Sequence, residues 1–412
     1  MKLTRAIVLR HLLRSGVPLP DRLSCWAMTA PGVELLTIEE LARLGLATGA
    51  SEPGGVEFTA TAAELATALL WLRTANRVTV RLAEFRATSF AELEKQAKRV
   101  TWADIVAPGG AVHFRVTSKK SKLYHQDGIA ERLERSVLAV MPDVTAIRAP
   151  SVAEELEQDV TALPDVQRVI VRVFRDQFTL SADAAGALLY LRGWRQAVAK
   201  APLRETLAAT LLAASGWTDD GIPQGPLVDP FCGSGTIAIE AALLARRMAP
   251  GRHRRFAAEL WPGLAGSSEA RSAIWSAARA DAAALELPSS PVQISGHDRD
   301  AGAITAALSN AERAGVAADV EFSRQSLSEL AAASGEGWLV TNPPYGARIG
   351  ERTALRDLYA TLGRVLQERR PRWHLTMLSA DRMLDAQLRL PLHDTLRTTN
   401  GGIPVRVVSS AE

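Results

Sequence analysis

The sequence predicts an α/β fold in which a doubly wound parallel sheet, from about residue 185 onward, follows smaller α+β modules. Beyond Pro202, apolar strand-like stretches at 226–229, 292–296 and 338–341 alternate with alanine-rich helical stretches at 203–215, 237–248 and 302–315. That order is the mark of parallel strands joined by crossover helices. Before residue 185, strands and helices follow one another without it. At 412 residues the chain also exceeds one ordinary hydrophobic core, so two or three domains are expected.

In the first half, 24–29 reads as a strand, 34–46 as a helix closed at Gly45, and 55–58 alternates like a strand after a Pro-Gly-Gly turn. A helix follows at 61–73, a strand at 77–82, a helix at 90–100, a strand at 111–117 and a helix at 127–140. Segments 166–174 and 177–181 pair as a hairpin. Arginines interrupt the apolar stretch of the basic N-terminal 20 residues, which read as an added tail rather than an export signal. No apolar run reaches the roughly 18 residues of a membrane span. Cys25 and Cys232 are too few for a disulfide scaffold, so a reducing cytoplasm is expected. The seven histidines show no metal-ligand spacing, and no metal is expected.

Net charge is only +3, but residues 1–150 hold 20 Lys/Arg against 15 Asp/Glu, while residues 151–412 hold 28 against 30. The basic surplus therefore lies in the first third. There Arg115, Lys119, Lys120 and Lys122 lead into Tyr124. Such a cluster is an ordinary solvated loop or, beside a nucleic-acid enzyme, a phosphate-neutralising patch with a stacking face. Arg73 reads as fixing a helix end. The 252–255 run (RHRR) either touches RNA or solvates an insertion at 246–288 that must loop out between two strands.

LVDPFCGSGT at 227–236 is a strand, a glycine turn and a helix start. Gly233 and Gly235 allow a sharp turn and a close ligand, and the helix-start N–H groups face that ligand. A third glycine and a GK[ST] are both missing, which excludes the dinucleotide and P-loop patterns. Asp229 at the strand end repels a pyrophosphate but welcomes a methionine ammonium, which favours S-adenosylmethionine. A valine at Gly235 is expected to intrude on the ligand. Asp298 ends the next apolar strand, where a carboxylate can accept ribose hydroxyls, and Asp300 reads as a helix cap. Cys232 reads as small packing.

Asn342-Pro343-Pro344-Tyr345 follows the strand GWLVT. Two prolines stiffen the backbone and remove its donors. The Asn342 side-chain oxygen and the Pro343 carbonyl can then both accept from an exocyclic amine, aiming its lone pair at a methyl donor. Tyr345 would stack on a flipped base, and Tyr345→Phe is then expected to be nearly neutral.

With these motifs the chain resembles the THUMP-domain class I RNA methyltransferases, which include guanosine-N2 enzymes of 23S rRNA and tRNA. DPFCGSGT, NPPYG, LRGWR (191–195) and APLRETLAA (201–209) carry the resemblance in the second half. GGVEF, LWLRTANRV (70–78) and SKLYHQDGIAERL (121–133) carry it in the first. It implies an N-terminal extension at 1–23, a ferredoxin-like region at 24–60 and 165–185, a THUMP RNA-binding domain at 61–164, and a Rossmann-like methyltransferase domain at 186–412. Asp229, Phe231, Gly233, Gly235, Thr236, Asp298 and Asn342 would hold S-adenosylmethionine. Gln325 stands where family members often carry an adenine-binding Asp. Residues 342–345 would hold the base, and Arg115, Lys119, Lys120, Lys122 and Tyr124 the RNA. The implied reaction is N2 methylation of a 23S rRNA guanosine by a monomer, with tRNA guanosine as alternative. An adenine-N6 DNA methyltransferase or a non-catalytic RNA scaffold is more distant. Deletion of residues 1–160 is expected to spare cofactor binding and abolish RNA methylation.

Overall fold

A computed structural model describes residues 19–196, 203–345 and 352–410. Most of the N-terminal extension, residues 197–202 and Gly346 lie outside the described residues. Eight strands precede residue 185: β1 (Leu23–Met28), β2 (Thr48–Glu52), β3 (Gly55–Ala60), β4 (Arg77–Arg86), β5 (Ala111–Lys119), β6 (Thr145–Ala146), β7 (Val166–Phe174) and β8 (Gln177–Asp183). They form one sheet in the order β2-β3-β1-β4-β8-β7-β5-β6. Strand β4 pairs with both β1 and β8, so the two N-terminal modules share a continuous sheet.

After a short pair, β9 (Thr218–Asp219) with β10 (Ile222–Pro223), come β11 (Leu227–Asp229), β12 (Ile294–Asp298), β13 (Glu321–Arg324), β14 (Gly337–Thr341), β15 (Trp373–Ser379), β16 (Leu392–Asn400) and β17 (Ile403–Ser410). Their order is β13-β12-β11-β14-β15-β17-β16, parallel from β13 to β15 and antiparallel thereafter. Strands β11 and β14 are buried on both faces, which is why they read as unbroken apolar runs. Chain order reverses between them, and an open α/β sheet binds ligands in the crevice at such a switch point.

The elements expected from periodicity are present with ends moved by a few residues. The helix Ala62–Trp71 begins at a capping box of Thr61 with Glu64 and buries Leu65, Ala66, Ala68, Leu69 and Leu70. Strands β15 to β17 and the helices Ser268–Ala284 and Arg352–Arg369 were not marked by any motif. No helix among the described residues is long and apolar enough to cross a membrane.

The 246–288 insertion leaves the second sheet between β11 and β12, as expected, but it is packed rather than solvated. Phe256, Trp261, Leu264, Trp275 and Ala282 are buried in the same core as Leu65 and Leu69, and the helix Ser268–Ala284 packs on Ala62–Trp71. The insertion is therefore an arm of the second sheet grasping the first module. Within RHRR, Arg254 is withdrawn from solvent while His253 and Arg255 remain exposed. Arg254 is 1% exposed and donates to the carbonyls of Ala187 and Leu188, while Arg252 pairs with Glu286 and Arg255 with Glu259. A guanidinium buried on backbone carbonyls has no surface left for RNA.

Charge closes the same seam. Glu240, on the helix Thr236–Ala245, is fully buried, with Arg73 Nη1 at 3.5 Å and Arg192 Nε at 3.3 Å from its two oxygens. Arg73 also donates to the Met248 carbonyl at 2.6 Å, just past that helix, as expected of a helix-end residue. Arg192 donates to the Arg73 carbonyl at 2.7 Å. Deleting residues 1–160 would strip Arg73 from Glu240 and expose Phe256, Trp261 and Trp275, so it is no clean test of the second half. Arg73→Ala leaves a buried carboxylate short of a partner and should cost roughly 3–5 kcal/mol. Urea unfolding followed by far-UV dichroism and by tryptophan fluorescence measures it, and both signals should move together because the arm at 246–288 is built into the core of the first module.

Candidate active site

Asp229 ends β11 with its side chain 1% exposed. Its Oδ1 accepts from the Phe231 amide at 3.1 Å and from the Thr341 hydroxyl at 2.6 Å. Thr341 is the last residue of β14, so this bond bridges the switch point. Burial, with Asp298 nearby, pushes the Asp229 carboxyl up to about 7, against the lowering effect of its two hydrogen bonds. The turn folds back at Gly235, whose N–H reaches the Cys232 carbonyl at 2.8 Å, and the helix Thr236–Ala245 starts there. Burial beside Asp229 and Asp298 also pushes the Cys232 thiol up, which suits a packing residue and not a nucleophile.

Asp298, at the end of β12, accepts from the Gly233 amide at 3.0 Å with Oδ2 and from the Asp300 amide at 2.9 Å with Oδ1. It stays half-exposed beside the turn. Asp300 caps the helix Ala301–Ala314 through the Gly302 amide at 2.8 Å. Gln325 follows β13. Its backbone N–H bonds the Asp298 carbonyl at 3.0 Å, and its side-chain amide donates to the Glu329 carbonyl at 2.8 Å. That donation orients the amide and leaves its oxygen able to accept. Asp229, Phe231, Gly233, Gly235, Asp298 and Gln325 thus line the carboxyl ends of β11, β12 and β13. A cationic amine would suit Asp229, and a nucleoside diol would suit Asp298.

The two glycines play different parts. A Cβ on Gly235 would meet the Phe322 ring at 2.9 Å, Ala307 at 3.0 Å and Ile239 at 3.2 Å, so it points into the protein, and the expected intrusion on the ligand is corrected. A Cβ on Gly233 would meet nothing within 4 Å and faces open space beside the turn. Thr236 is also turned inward, 4% exposed, with its hydroxyl accepting from Arg195 at 3.0 Å. Arg195 itself pairs with buried Glu205 at 3.0 Å, a brace on the turn that charge in the sequence did not reveal.

Asn342 leaves β14 immediately after the Thr341–Asp229 bond. Its Oδ1 is buried and has no hydrogen-bond partner among the described residues. Pro343 is buried and Pro344 exposed; the Pro344 carbonyl accepts from the Tyr359 hydroxyl at 3.4 Å. Tyr345 is half-buried, and its hydroxyl takes a hydrogen bond from Asn400 at 2.7 Å. An orphaned acceptor oxygen beside a ring and a stiff diproline is suited to receive the amine of a planar base.

The cationic cluster lies on the other sheet. Arg115, Lys119, Lys120, Lys122 and Tyr124 are all exposed, Tyr124 by 70%. The structure adds the β7–β8 turn to them. Register aligns Lys119, Phe174, Gln177 and Arg86 across four strands, the Lys122 amide bonds Asp176 at 2.7 Å, and the Arg175 guanidinium lies 5.2 Å from the Phe174 ring centroid. Lys120, Arg175 and Asp176 all carry positive φ here. Sequence reading missed Phe174 and Arg175 because a two-residue turn carries no mark of what faces it.

A family model described as the RMKL-like methyltransferase domain matches residues 192–407, and one for the RlmL ferredoxin-like domain matches residues 24–79. The chain is 36% identical over 392 residues to the ribosomal RNA large subunit methyltransferase K/L of Syntrophotalea carbinolica, across 92% of this chain and 52% of that one. It thus spans about half the length of that relative. It is 31% identical over 380 residues to slr0064 of Synechocystis sp. PCC 6803, an RNA methyltransferase by inference, across 92% and 94% of the two chains. Among solved structures, SMU.472, a methyltransferase by inference complexed with SAH, superposes with a TM-score of 0.81 at 26% identity, over 95% of this chain and 98% of that one.

Opposite consequences are expected at the two glycines. Gly235→Val should destabilise the fold through left-handed strain and a packing clash, each costing on the order of 1–3 kcal/mol. Gly233→Ala should lose only about 1 kcal/mol, with its main effect on whatever binds beside the turn. Thermal unfolding of the two variants separates these roles.

Proposed function

The chain belongs to the RMKL-like methyltransferase family, and on that premise we propose that it methylates the exocyclic N2 amine of a guanosine in 23S ribosomal RNA, with S-adenosylmethionine as donor. The observation that carries this reading is the buried, unpartnered Asn342 oxygen, one residue past the bond that joins β14 to Asp229. The residues of the crevice fit the donor: a buried carboxylate for its ammonium, a half-exposed one for its ribose, and an open face at Gly233. S-adenosylmethionine supplies an electrophilic methyl group on a sulfonium. The choice of ribosomal RNA over tRNA follows the K/L relative, whose name gives that substrate.

In this reading Asp229 holds the ammonium, Asp298 the ribose, and Gln325 the adenine amine through its side-chain oxygen. Phe231, Gly233, Gly235 and Thr236 shape the turn. Asn342 Oδ1 and the Pro343 carbonyl each accept one proton of the guanine amine, which turns its lone pair toward the methyl group, and Tyr345 stacks on the ring. The proton freed after transfer goes to water. Arg115, Lys119, Lys120, Lys122 and Tyr124, joined by Phe174 and Arg175, hold the flanking RNA by phosphate neutralisation and stacking. The enzyme works as a cytoplasmic monomer, with ferredoxin-like, THUMP and methyltransferase modules near the boundaries expected from sequence and no metal.

Nucleoside mass spectrometry of separated ribosomal and transfer RNAs from a strain lacking the gene should show loss of N2-methylguanosine from 23S RNA only. Loss from tRNA alone, or no loss, overturns the substrate. Restoring the gene as Asn342→Ala should fail to replace the mark, and purified Asn342→Ala should transfer methyl roughly 10²-fold more slowly or worse, with donor affinity little changed. Asn342→Asp keeps an acceptor and should retain more activity.

Donor affinity should also depend on pH through Asp229. Its folded pKa is raised to about 7, so the protonated form dominates below that and the carboxylate above it. An ammonium binds the carboxylate. Affinity should therefore climb from about pH 5 to about pH 7 with proton release, and Asp229→Asn should bind weakly and without that climb. The sign for stability is opposite: burying the charged form costs more as pH rises, so the ligand-free fold loses stability over the same range. Calorimetric titration in buffers of different ionisation enthalpy reads the first effect, and thermal unfolding the second.

A further inference from the structure

We propose that Asn400, at the tip of the β16–β17 hairpin, is a positioning residue that fixes the Tyr345 ring as the wall on which the target base stacks. The inference rests on the base-stacking reading above and adds a residue that no motif marks. Asn400 Nδ2 donates to the Tyr345 hydroxyl at 2.7 Å across 55 residues of sequence. A ring held only at its Cα end rotates about two side-chain bonds. Holding its far end removes that freedom in advance, so less ordering remains to be done between bound RNA and the stacked, aligned base from which transfer occurs.

Several features separate this bond from incidental packing. The hairpin does not need the Asn400 side chain for its turn. The two loop residues, Gly401 and Gly402, carry φ of +58° and +85°, and they supply the left-handed conformations that a tight hairpin demands. The Asn400 amide is therefore free for another task. The hairpin is braced on both sides. Val405 and Val407 belong to the core against which Tyr345 and Leu396 both pack. On the far side, the backbone of Gly32 in the β1 loop lies so close to the Arg397 carbonyl that a Cβ there would sit 1.8 Å from the oxygen. The N-terminal module thus abuts the strand whose end carries Asn400. Because Asn400 donates, the phenol keeps its own proton and can still offer it outward.

This geometry changes the expectation for Tyr345. With its hydroxyl engaged, Tyr345→Phe should not be neutral: it should lower the single-turnover methylation rate on saturating RNA by roughly 3- to 10-fold, as one net hydrogen bond would. Asn400→Ala should do the same in the full-length protein, with RNA affinity and unfolding temperature nearly unchanged. The double variant should be no slower than either single one. Asn400→Asp, which can accept the phenol proton, should restore most of the rate. A second readout needs no activity. In protein carrying ¹³Cζ-tyrosine, four tyrosine resonances are expected, and the one missing in Tyr345→Phe should be the one that Asn400→Ala shifts. A normal rate for Asn400→Ala, rate losses that multiply in the double variant, or an unmoved Tyr345 resonance overturns the proposal. Should the wild-type protein methylate no RNA, the functional reading fails instead, while the resonance still reports whether Asn400 holds the ring.

Discussion

Glu240 has no exposed surface, yet two guanidiniums reach it from outside its own helix, Arg73 from the first module and Arg192 from the connector. A carboxylate in such a place is tolerable only while both partners stay. The helix that bears it starts at Gly235, so the turn lining the crevice is anchored four residues or so from the seam between the halves. Arg254, buried on the carbonyls of the connector, and the arm packed on Ala62–Trp71 extend the same junction. The position of the crevice relative to the cationic patch on the other sheet follows from that junction.

What could be read in advance divides along physical lines. Glycine and proline act through their own backbone, so the turn at 233–235 and the diproline at 343–344 announce themselves locally. The side to which a glycine's missing Cβ would point is not local, and Gly235 was misread for that reason: its neighbours Phe322 and Ala307 lie 72 or more residues on. Arginine is similarly ambiguous. Arg73 was placed at a helix end, but Arg254 in RHRR looked like a surface charge, because nothing in a basic run tells which guanidinium will find three backbone carbonyls. Asn400 could not be seen at all, since its partner lies 55 residues away, in the loop that follows β14.

The crevice joins two kinds of electrostatic preparation. Asp229 and Asp298 repel each other across the turn, and the protein stabilises both by aiming donors at them, the Phe231 amide and Thr341 hydroxyl at one, the Gly233 and Asp300 amides at the other. Asn342, one residue after Thr341, receives no such donor among the described residues. A strand that completes the satisfaction of one acceptor and then presents a bare one divides holding from reacting within two residues.

The close approach of Gly32 to β16 has a further meaning. The first module touches the second sheet at the arm, at the Glu240 seam and at this strand, three points that do not lie on one element. Three contacts of that kind leave no hinge. The exposed cations and rings of the β5–β7 end therefore stand at a set separation from the diproline, and under the proposed function a folded RNA would satisfy both only if its geometry supplied the same span. On that proposal, selection of a nucleotide would become a measurement of length, in which the protein acts as a caliper and the neighbouring base sequence matters less than the shape that brings one amine to the jaw.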